Sequence, residues 1–583
     1  MKGIGAVEIQ QDDNSWKKVD DQTNVELAIM QNNAKRFHLA STTPMMQVSA
    51  VQHVGYLSNT ECSEKILNGT FEQKNHLNDY TNKFLGYIGL RNRTPAFSAL
   101  IESGDFKYFW RSAKENTSSS MSGRHFGHYK AAAKNNFLSN IHACFCNAVV
   151  SKGTSIPRWK KGLTVMLEKI KNNIKVNKLR AILLMEADFN FINKLMFGHR
   201  LMLQAKKYNR IPQELYGGLL NKSSQEVAIN RRLTLDIFKL KRRNGAIAGV
   251  DATQCYDRIV HSLAILLARN EGAPLNPLLS MFNAIQNMTY HLRTQFGDSE
   301  SSYGGKQTIP FQGTCQGNGA SPAMWLMVSM YLVLLGRREG HVSNFSAAFS
   351  KATIKLLGFL FVDDTDLVIL GNKGEQVRHV IGRLQRAIRF WNGILRVSGG
   401  ALAPAKCYWY LAHFTWNNGE CTLAVNKPDD VVISDDGGNE IPIEFIPPTE
   451  ATKAVGVWQD LAGTSKKQKQ ELISQIRDTH NALNQSPLPK HLNWIGFKQA
   501  TWKSIEYILP ATTFSPQDCK DLEKELYRPL LPKLGCNRNY PILLRYCTAN
   551  LMGLGLYNIF WEQGISKVKY CSHMVMIAHT QEV

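Results

Sequence analysis

Two stretches of the chain are apolar enough to be buried strands, and both carry acids at an end or a turn. AIAGVDA (Ala246–Ala252) runs apolar into Asp251, and LLGFLFVDDTDLVIL (Leu356–Leu370) is interrupted by Asp363 and Asp364. Short apolar runs of this kind read as strands covered on both faces. Helical patterns separate them: RIVHSLAILLARN (Arg258–Asn270), the apolar run Ala320–Gly336, and GEQVRHVIGRLQRAIRFWNGIL (Gly374–Leu395). This alternation predicts an α/β or α+β layer over residues 246–460. Within it, the turn-rich acidic stretch Asn426–Pro448 predicts an inserted surface hairpin. Upstream, VELAIMQNNAKRF (Val25–Phe37) is patterned as a helix, whereas Ser58–Asn82 is polar. After Ala462 the pattern is helical and mildly basic, and no repeat or long low-complexity tract interrupts the chain.

Composition narrows the class. The 583 residues, 44% hydrophobic and 10% aromatic, can build several cores, and wholesale disorder is excluded. With 69 Lys and Arg against 47 Asp and Glu, the net charge is +22, which favours a polyanionic partner, nucleic acid or an acidic membrane surface. The excess is localised: residues 151–245 hold 21 Lys and Arg against 6 Asp and Glu. A membrane role fits less well. The start, MKGIGAVEIQQDDNSW, lacks the apolar core of a signal peptide, and Ala320–Gly336 is shorter than a usual spanning helix, so a buried helix is expected. The 11 cysteines are scattered without zinc spacing, the nearest pair being Cys144 and Cys146. The expectation is an intracellular protein with free thiols, in nucleus or cytoplasm and not secreted.

The acids in apolar company carry the chemistry. A carboxylate ending a buried strand costs several kcal/mol unless it is paired or binds a cation, and Asp363 beside Asp364 doubles the problem. Two divalent ions about 3.5–4 Å apart, sharing these carboxylates, would resolve it and would serve phosphoryl or nucleotidyl transfer. Asp257 and Asp366 read as helix N-caps or surface residues. Between the two strands lies Q-G-N-G-A-S-P (Gln316–Pro322), a glycine-bearing turn that leads into the apolar helix.

D-A-T-Q-C-Y-D from Asp251, Q-G-N-G-A-S-P, and F-V-D-D at Phe361–Asp364, in that order, resemble motifs A, B and C of reverse transcriptases. The resemblance implies that Asp251, Asp363 and Asp364 hold two Mg²⁺ ions, with Mn²⁺ as a substitute, and that Tyr256 lies under the sugar and excludes a 2′-hydroxyl. It implies that Gln316 and Gly317 line the nucleotide pocket; Ser321 either contacts ligand or caps the helix that Pro322 begins. Trp159–Lys169 and Lys178–Lys194 resemble the fingers of non-LTR retrotransposon and group II intron enzymes. Arg180 would then hold the incoming triphosphate, for which a guanidinium fork suits phosphate oxygens, although Ala181 stands where that family usually has proline. Lys169 is a second candidate for the same phosphates. Ile211–Ser224 resembles the turn between fingers and palm. Ser398–Cys407 resembles motif D, whose lysine, Lys406 here, protonates the leaving pyrophosphate. Lys453–Trp458 resembles motif E, the primer grip, with Gly456 for the tight turn and Trp458 either below the primer or in the core. Around Ser118–Lys130, Arg124, His125 and His128 read as a nucleic-acid contact in preference to a metal site.

The implied fold is α+β, a right-hand polymerase: an N-terminal extension over 1–110, fingers over 111–245, a palm with an antiparallel sheet over 246–460, and a helical thumb over 461–583. The implied activity is RNA-directed DNA polymerisation, with RNA template, DNA primer and dNTPs as partners, element RNA in a ribonucleoprotein, and no membrane. The resemblance covers residues 111–460; beyond 460 it is one of layout. An RNA-dependent RNA polymerase is disfavoured by Tyr256 and by Q-G-N-G-A-S-P. A catalytically inactive, domesticated or decayed nucleic-acid-binding copy is the alternative. No RNase H acid set, integrase zinc pattern, zinc knuckle or endonuclease is recognisable.

Overall fold

The computed structural model describes residues 3–305, 308–346 and 352–581. It is a mixed α+β molecule with two five-stranded sheets, several two-stranded ribbons and many helices. The apolar run before Asp251 forms the strand Gly245–Asp251. The longer run folds back on itself as a hairpin of Gly358–Phe361 and Asp364–Leu370. Gly245–Asp251 lies at the centre of the first sheet, between Asp364–Leu370 and Tyr408–Ala412. Glu444–Phe445 closes the far edge, parallel to Tyr408–Ala412.

Period-two alternation divides the side chains of this sheet between two cores. Ala246, Ala248, Val250, Leu367, Ile369 and Trp409 enter the largest core, where helix Val377–Val397 lies on the sheet and helix Ser321–Arg338 packs against that helix. Ile247, Val368, Leu370 and Tyr410 face the other way, onto Leu235 and Phe238 of helix Ser224–Lys241. Both faces are covered, which is why the strands read as continuous apolar runs. Each fully buried Val, Ile or Leu contributes about 1.5–3 kcal/mol, and an acid is tolerated only where the sheet opens at its end or where a cation pairs with it.

The second sheet runs Leu179–Leu184, Lys161–Glu168, Thr289–Thr294, Gly297–Asp298, with Tyr303–Gly304 also on Thr289–Thr294. Its core joins Met166, Leu179, Ala181 and Leu292 to Val25 and Ile29 of helix Gln22–His38. Asp21 starts that helix by accepting the Asn24 N–H at 3.0 Å. The Leu183 N–H donates to the Gln316 carbonyl at 2.7 Å and so ties this sheet to the turn before Ser321–Arg338.

Several details differ from the sequence pattern. The polar stretch 58–82 contains helix Glu61–Leu67 and the start of Asp79–Leu90; each buries only a few apolar side chains, too few for a strong periodicity. Ile66, Phe84, Ile88 and Trp110 sit in the same core as residues 246–443, so residues 37–110 are packed into the main body. The helix expected from Arg258 begins at His261, after a separate turn Cys255–Arg258. The acidic stretch does form a hairpin, Val432–Ser434 with Glu440–Pro442, and it is docked along helix Val377–Val397. C-terminal helices, including Lys466–Gln485, Trp502–Ile508 and Pro516–Lys533, build a core of their own around Leu472, Trp502, Leu526 and Leu530, joined by Ala228 and Ile229. All 11 cysteines are free thiols. Among the described residues, no helix is long and apolar enough to cross a membrane.

Candidate active site

The F-V-D-D turn is a two-residue hairpin loop: Phe361 and Asp364 are register partners, with Val362 and Asp363 between them. Val362 has φ +58°, the positive value such a loop requires at its first position. For a β-branched residue the left-handed region costs roughly 1–2 kcal/mol, and the surroundings hold it there. Trp325 Nε1 donates to the Val362 carbonyl at 2.6 Å. Gly217 comes so close that a Cβ there would stand 2.6 Å from the Val362 nitrogen. The stretch around Glu214 also braces the hairpin edge: the Leu360 N–H donates to the Glu214 carbonyl at 2.9 Å, and the Tyr216 N–H to the Leu360 carbonyl at 3.0 Å. The turn therefore presents Asp363 at its tip and Asp364 directly across from Asp251. The Ala252 N–H, at 3.2 Å from the Asp363 carbonyl, closes the junction.

Strand alternation puts Asp251, Asp364 and Asp366 on one face of the sheet, where a cleft is lined by Asp251, Asp364, Lys406, Tyr408 and Lys453. Burial pushes the Asp364 carboxyl up to about 6, with Asp363, Asp251 and Asp366 adding to it and Lys406 opposing. Burial also raises Asp363, Asp251 adds to the effect, and Lys406 and Lys169 oppose it. Lys406 Nζ donates to Asp251 Oδ2 at 2.7 Å. Burial works against its charge, but Asp251, Asp363 and Asp364 outweigh that and raise the ammonium pKa. Among the described residues no three His, Cys, Asp or Glu side chains form a closed metal-ligand cluster. The donors are nonetheless of the right kind for a hard divalent ion, oxygen ligands in excess of the one cation that touches them.

Beneath the acids lies a buried charge that the sequence did not reveal. Arg231, with no exposed side-chain surface, stands 3.2 Å from Asp366 Oδ2. It also donates to Tyr408 Oη at 3.2 Å and Thr452 Oγ1 at 3.1 Å. Asp366 is thus the counter-ion of a buried arginine; removing one partner of such a pair costs about 3–5 kcal/mol. Gly249 leaves room for the Tyr408 ring, which a Cβ would meet at 2.4 Å. Thr452 belongs to the hairpin Thr452–Ala454 with Val457–Gln459, which reverses through Val455 (φ +42°) and Gly456 (φ +91°). Two positive φ values mark a type I′ turn, and Gly456 serves it as expected. Trp458 in this hairpin is half-buried, with Lys467 Nζ 5.3 Å from its ring centre.

The remaining predicted residues gather on the side of the second sheet. Arg180 is exposed and follows Leu179, whose carbonyl accepts from Arg36 Nη2 at 2.8 Å. Lys169 is exposed at the turn end of the partner strand; partial burial lowers its pKa, and Arg36, Arg180 and Lys406 lower it further, which marks a convergence of cations. Tyr256 is half-buried against the main core, and burial pushes its phenol up, with Cys255 and Asp363 adding to the effect. Gln316 is half-buried and bonded through its carbonyl to Leu183. Gly317 (φ +119°) approaches so closely that a Cβ would stand 2.2 Å from the Leu183 oxygen. Ser321 does not cap its helix: its hydroxyl donates to the Thr314 and Cys315 carbonyls at 2.9 and 2.7 Å. His125 and His128 are engaged in capping helix Phe126–Ala132, while Arg124 is exposed. Sequence patterning alone does not single out Trp325, Arg231 or Arg36. Their one visible signal is an aromatic or arginine placed on an apolar helix face.

Set against known proteins, the chain matches no protein-family model and no curated protein.

Proposed function

We propose that this protein is an RNA-directed DNA polymerase of the retrotransposon type, with a right-hand arrangement of fingers (111–245), palm (246–460) and thumb (461–583). The observation that carries this reading is the register pairing of Asp364 with Asp251 beside the turn residue Asp363, with Lys406 bonded to Asp251. Three acids at the open end of one buried sheet, facing a cluster of cations on a neighbouring sheet, suit a triphosphate and a primer end better than a structural ion pair.

Two Mg²⁺ ions held by Asp251, Asp363 and Asp364, when bound, would activate the primer 3′-hydroxyl and neutralise the triphosphate. Arg180 and Lys169 bind the phosphates, the arginine through its fork of donors. Tyr256 excludes a ribose 2′-hydroxyl and so favours dNTPs. The 3′-oxygen loses its proton to water as it bonds to the α-phosphorus, the bond to pyrophosphate breaks, and Lys406 gives its proton to the leaving oxygen. Lys406 is suited to this because Asp251, Asp363 and Asp364 keep it an ammonium, the form a general acid requires. Exposed Lys and Arg of the fingers hold the template backbone independently of sequence.

The full-length protein, given an RNA template, a DNA primer and Mg²⁺, is expected to extend the primer with dNTPs and to incorporate NTPs far less. Salt-sensitive RNA binding with no extension on any template would instead favour a non-catalytic binding protein.

A further inference from the structure

The stretch that carries Lys406 runs antiparallel along the segment following Asp251. The Val260 N–H donates to the Ser398 carbonyl at 3.0 Å, the Thr253 N–H to the Ala401 carbonyl at 2.9 Å, and the Ala403 N–H to the Asp251 carbonyl at 2.9 Å. Ala252 and Leu402 form an antiparallel bridge between the last two. At the far end of this zipper Gly399, at φ +94°, lies so near that a Cβ would stand 2.0 Å from the Arg258 carbonyl oxygen. Arg258 completes the contact through its side chain, Nε donating to the Gly399 carbonyl at 2.8 Å.

That guanidinium is 1% exposed, and its counter-ion comes from outside the site. Nη1 and Nη2 each donate to Asp436 at 2.9 Å, a bidentate pair. Asp436 lies between Val432–Ser434 and Glu440–Pro442, at the tip of the acidic hairpin. The hairpin is aligned along one face of helix Val377–Val397: Gln385 exchanges two 2.8 Å hydrogen bonds with Val432, Asn392 donates to the Ser434 carbonyl at 2.8 Å, and Arg396 reaches Asp436 at 3.2 Å. Residues 385, 392 and 396 recur at helical spacing.

We propose that this hairpin is a clamp on the Lys406 loop: Asp436 fixes Arg258, Arg258 fixes Gly399, and the loop from Ser398 to Cys407 is thereby held in the register that sets Lys406 on Asp251. Asp436 and Arg258 are positioning residues, and their catalytic consequence rests on the polymerase reading. The clamp itself does not.

The full-length protein tests it through Asp436→Ala. The Asp436 side chain is 44% exposed, so water can reach the Arg258 guanidinium once the carboxylate is removed and the fold should survive the change. Glu440→Ala, which breaks only the exposed Arg389 pair of the same hairpin, is the control. Amide hydrogen exchange over residues 398–406 should quicken by at least about tenfold in Asp436→Ala, the low end for one charge-assisted hydrogen bond, and should stay unchanged in Glu440→Ala. In primer extension, kcat should fall by a similar factor with the dNTP KM unaltered, and Asp436→Glu should recover part of it. Unchanged exchange in Asp436→Ala would overturn the clamp. Faster exchange with an unaltered kcat would overturn its positioning role. Absence of extension by the unmodified protein would refute the polymerase reading, while the exchange comparison would still decide the clamp.

Discussion

The two sides of the candidate site hold their charges by opposite means. At the end of the first sheet, acids are few, Asp366 buried, Asp251 and Asp363 half-buried and Asp364 exposed at the mouth of the cleft, and three have a named partner: Asp364 lies in register with Asp251, Asp251 is bonded to Lys406, and Asp366 is paired with Arg231. Across from them, Arg180 and Lys169 stand exposed on the second sheet. Their positions follow from the backbone of two paired strands, Arg180 being the register partner of Leu167. A buried charge must be placed to within a hydrogen bond because desolvation is expensive; an exposed one need only be near, since it acts through a screened field. The acidic side should therefore be intolerant of any single change, and the basic side should respond gradually.

The largest expected effect is on the acidic side. Asp251→Asn should leave RNA binding intact and lower primer extension by at least about a thousandfold, the several kcal/mol that a metal-ligating carboxylate contributes to the transition state. A smaller loss would mean that the sheet end is no more demanding than the surface. Lys406→Ala should reduce kcat by about 10²–10⁴, the range for a lost general acid. The alkaline limb of its pH–rate profile should also be lost.

Burial in the main core should also appear as pH-dependent stability. His261 is fully buried, its Nε2 2.7 Å from the Gly313 carbonyl and its Nδ1 accepting from Gln286 at 3.0 Å. Burial holds its pKa down at about 4, against an ordinary value of about 6.5. A folded-state value below the unfolded one gives stability that is present above pH 6.5 and is lost as the pH falls toward 4. The linkage amounts to about 3 kcal/mol over that window. Denaturant titrations at several pH values should show this slope, and His261→Gln should flatten it. The smallest effect belongs to the basic side. Replacing Lys169 or Arg180 by Ala should raise the dNTP KM by about tenfold, the low end for a hydrogen bond to a charged group, and leave RNA binding unchanged. An unaltered KM would remove these two residues from the triphosphate site.

Much of this was legible in the sequence wherever local pattern and chemistry agree. The two apolar runs, the acids in them and the buried helix after Pro322 follow from residue type and spacing, while the tight turn at Gly456 follows from the resemblance of Lys453–Trp458 to motif E. The other parts depend on pairings distant in sequence. Nothing about Trp325 in an apolar helix announces that its indole holds the Val362 carbonyl. Asp257 and Asp366, read as caps or surface acids, are both buried, and Asp366 becomes informative only when Arg231 arrives from helix Ser224–Lys241. The acidic hairpin looks like a surface ornament until Asp436 meets the buried Arg258. Residues 37–110 likewise look separate because their helices are short and polar, and only packing shows that they complete the main core.

The most direct test of the three-acid site compares the unmodified protein with Asp363→Ala/Asp364→Ala on the same RNA template and DNA primer, with template binding measured alongside. Equal binding is expected, with primer extension by the unmodified protein and none by the double variant. Extension that survives the loss of both acids would contradict a polymerase centre built on these carboxylates.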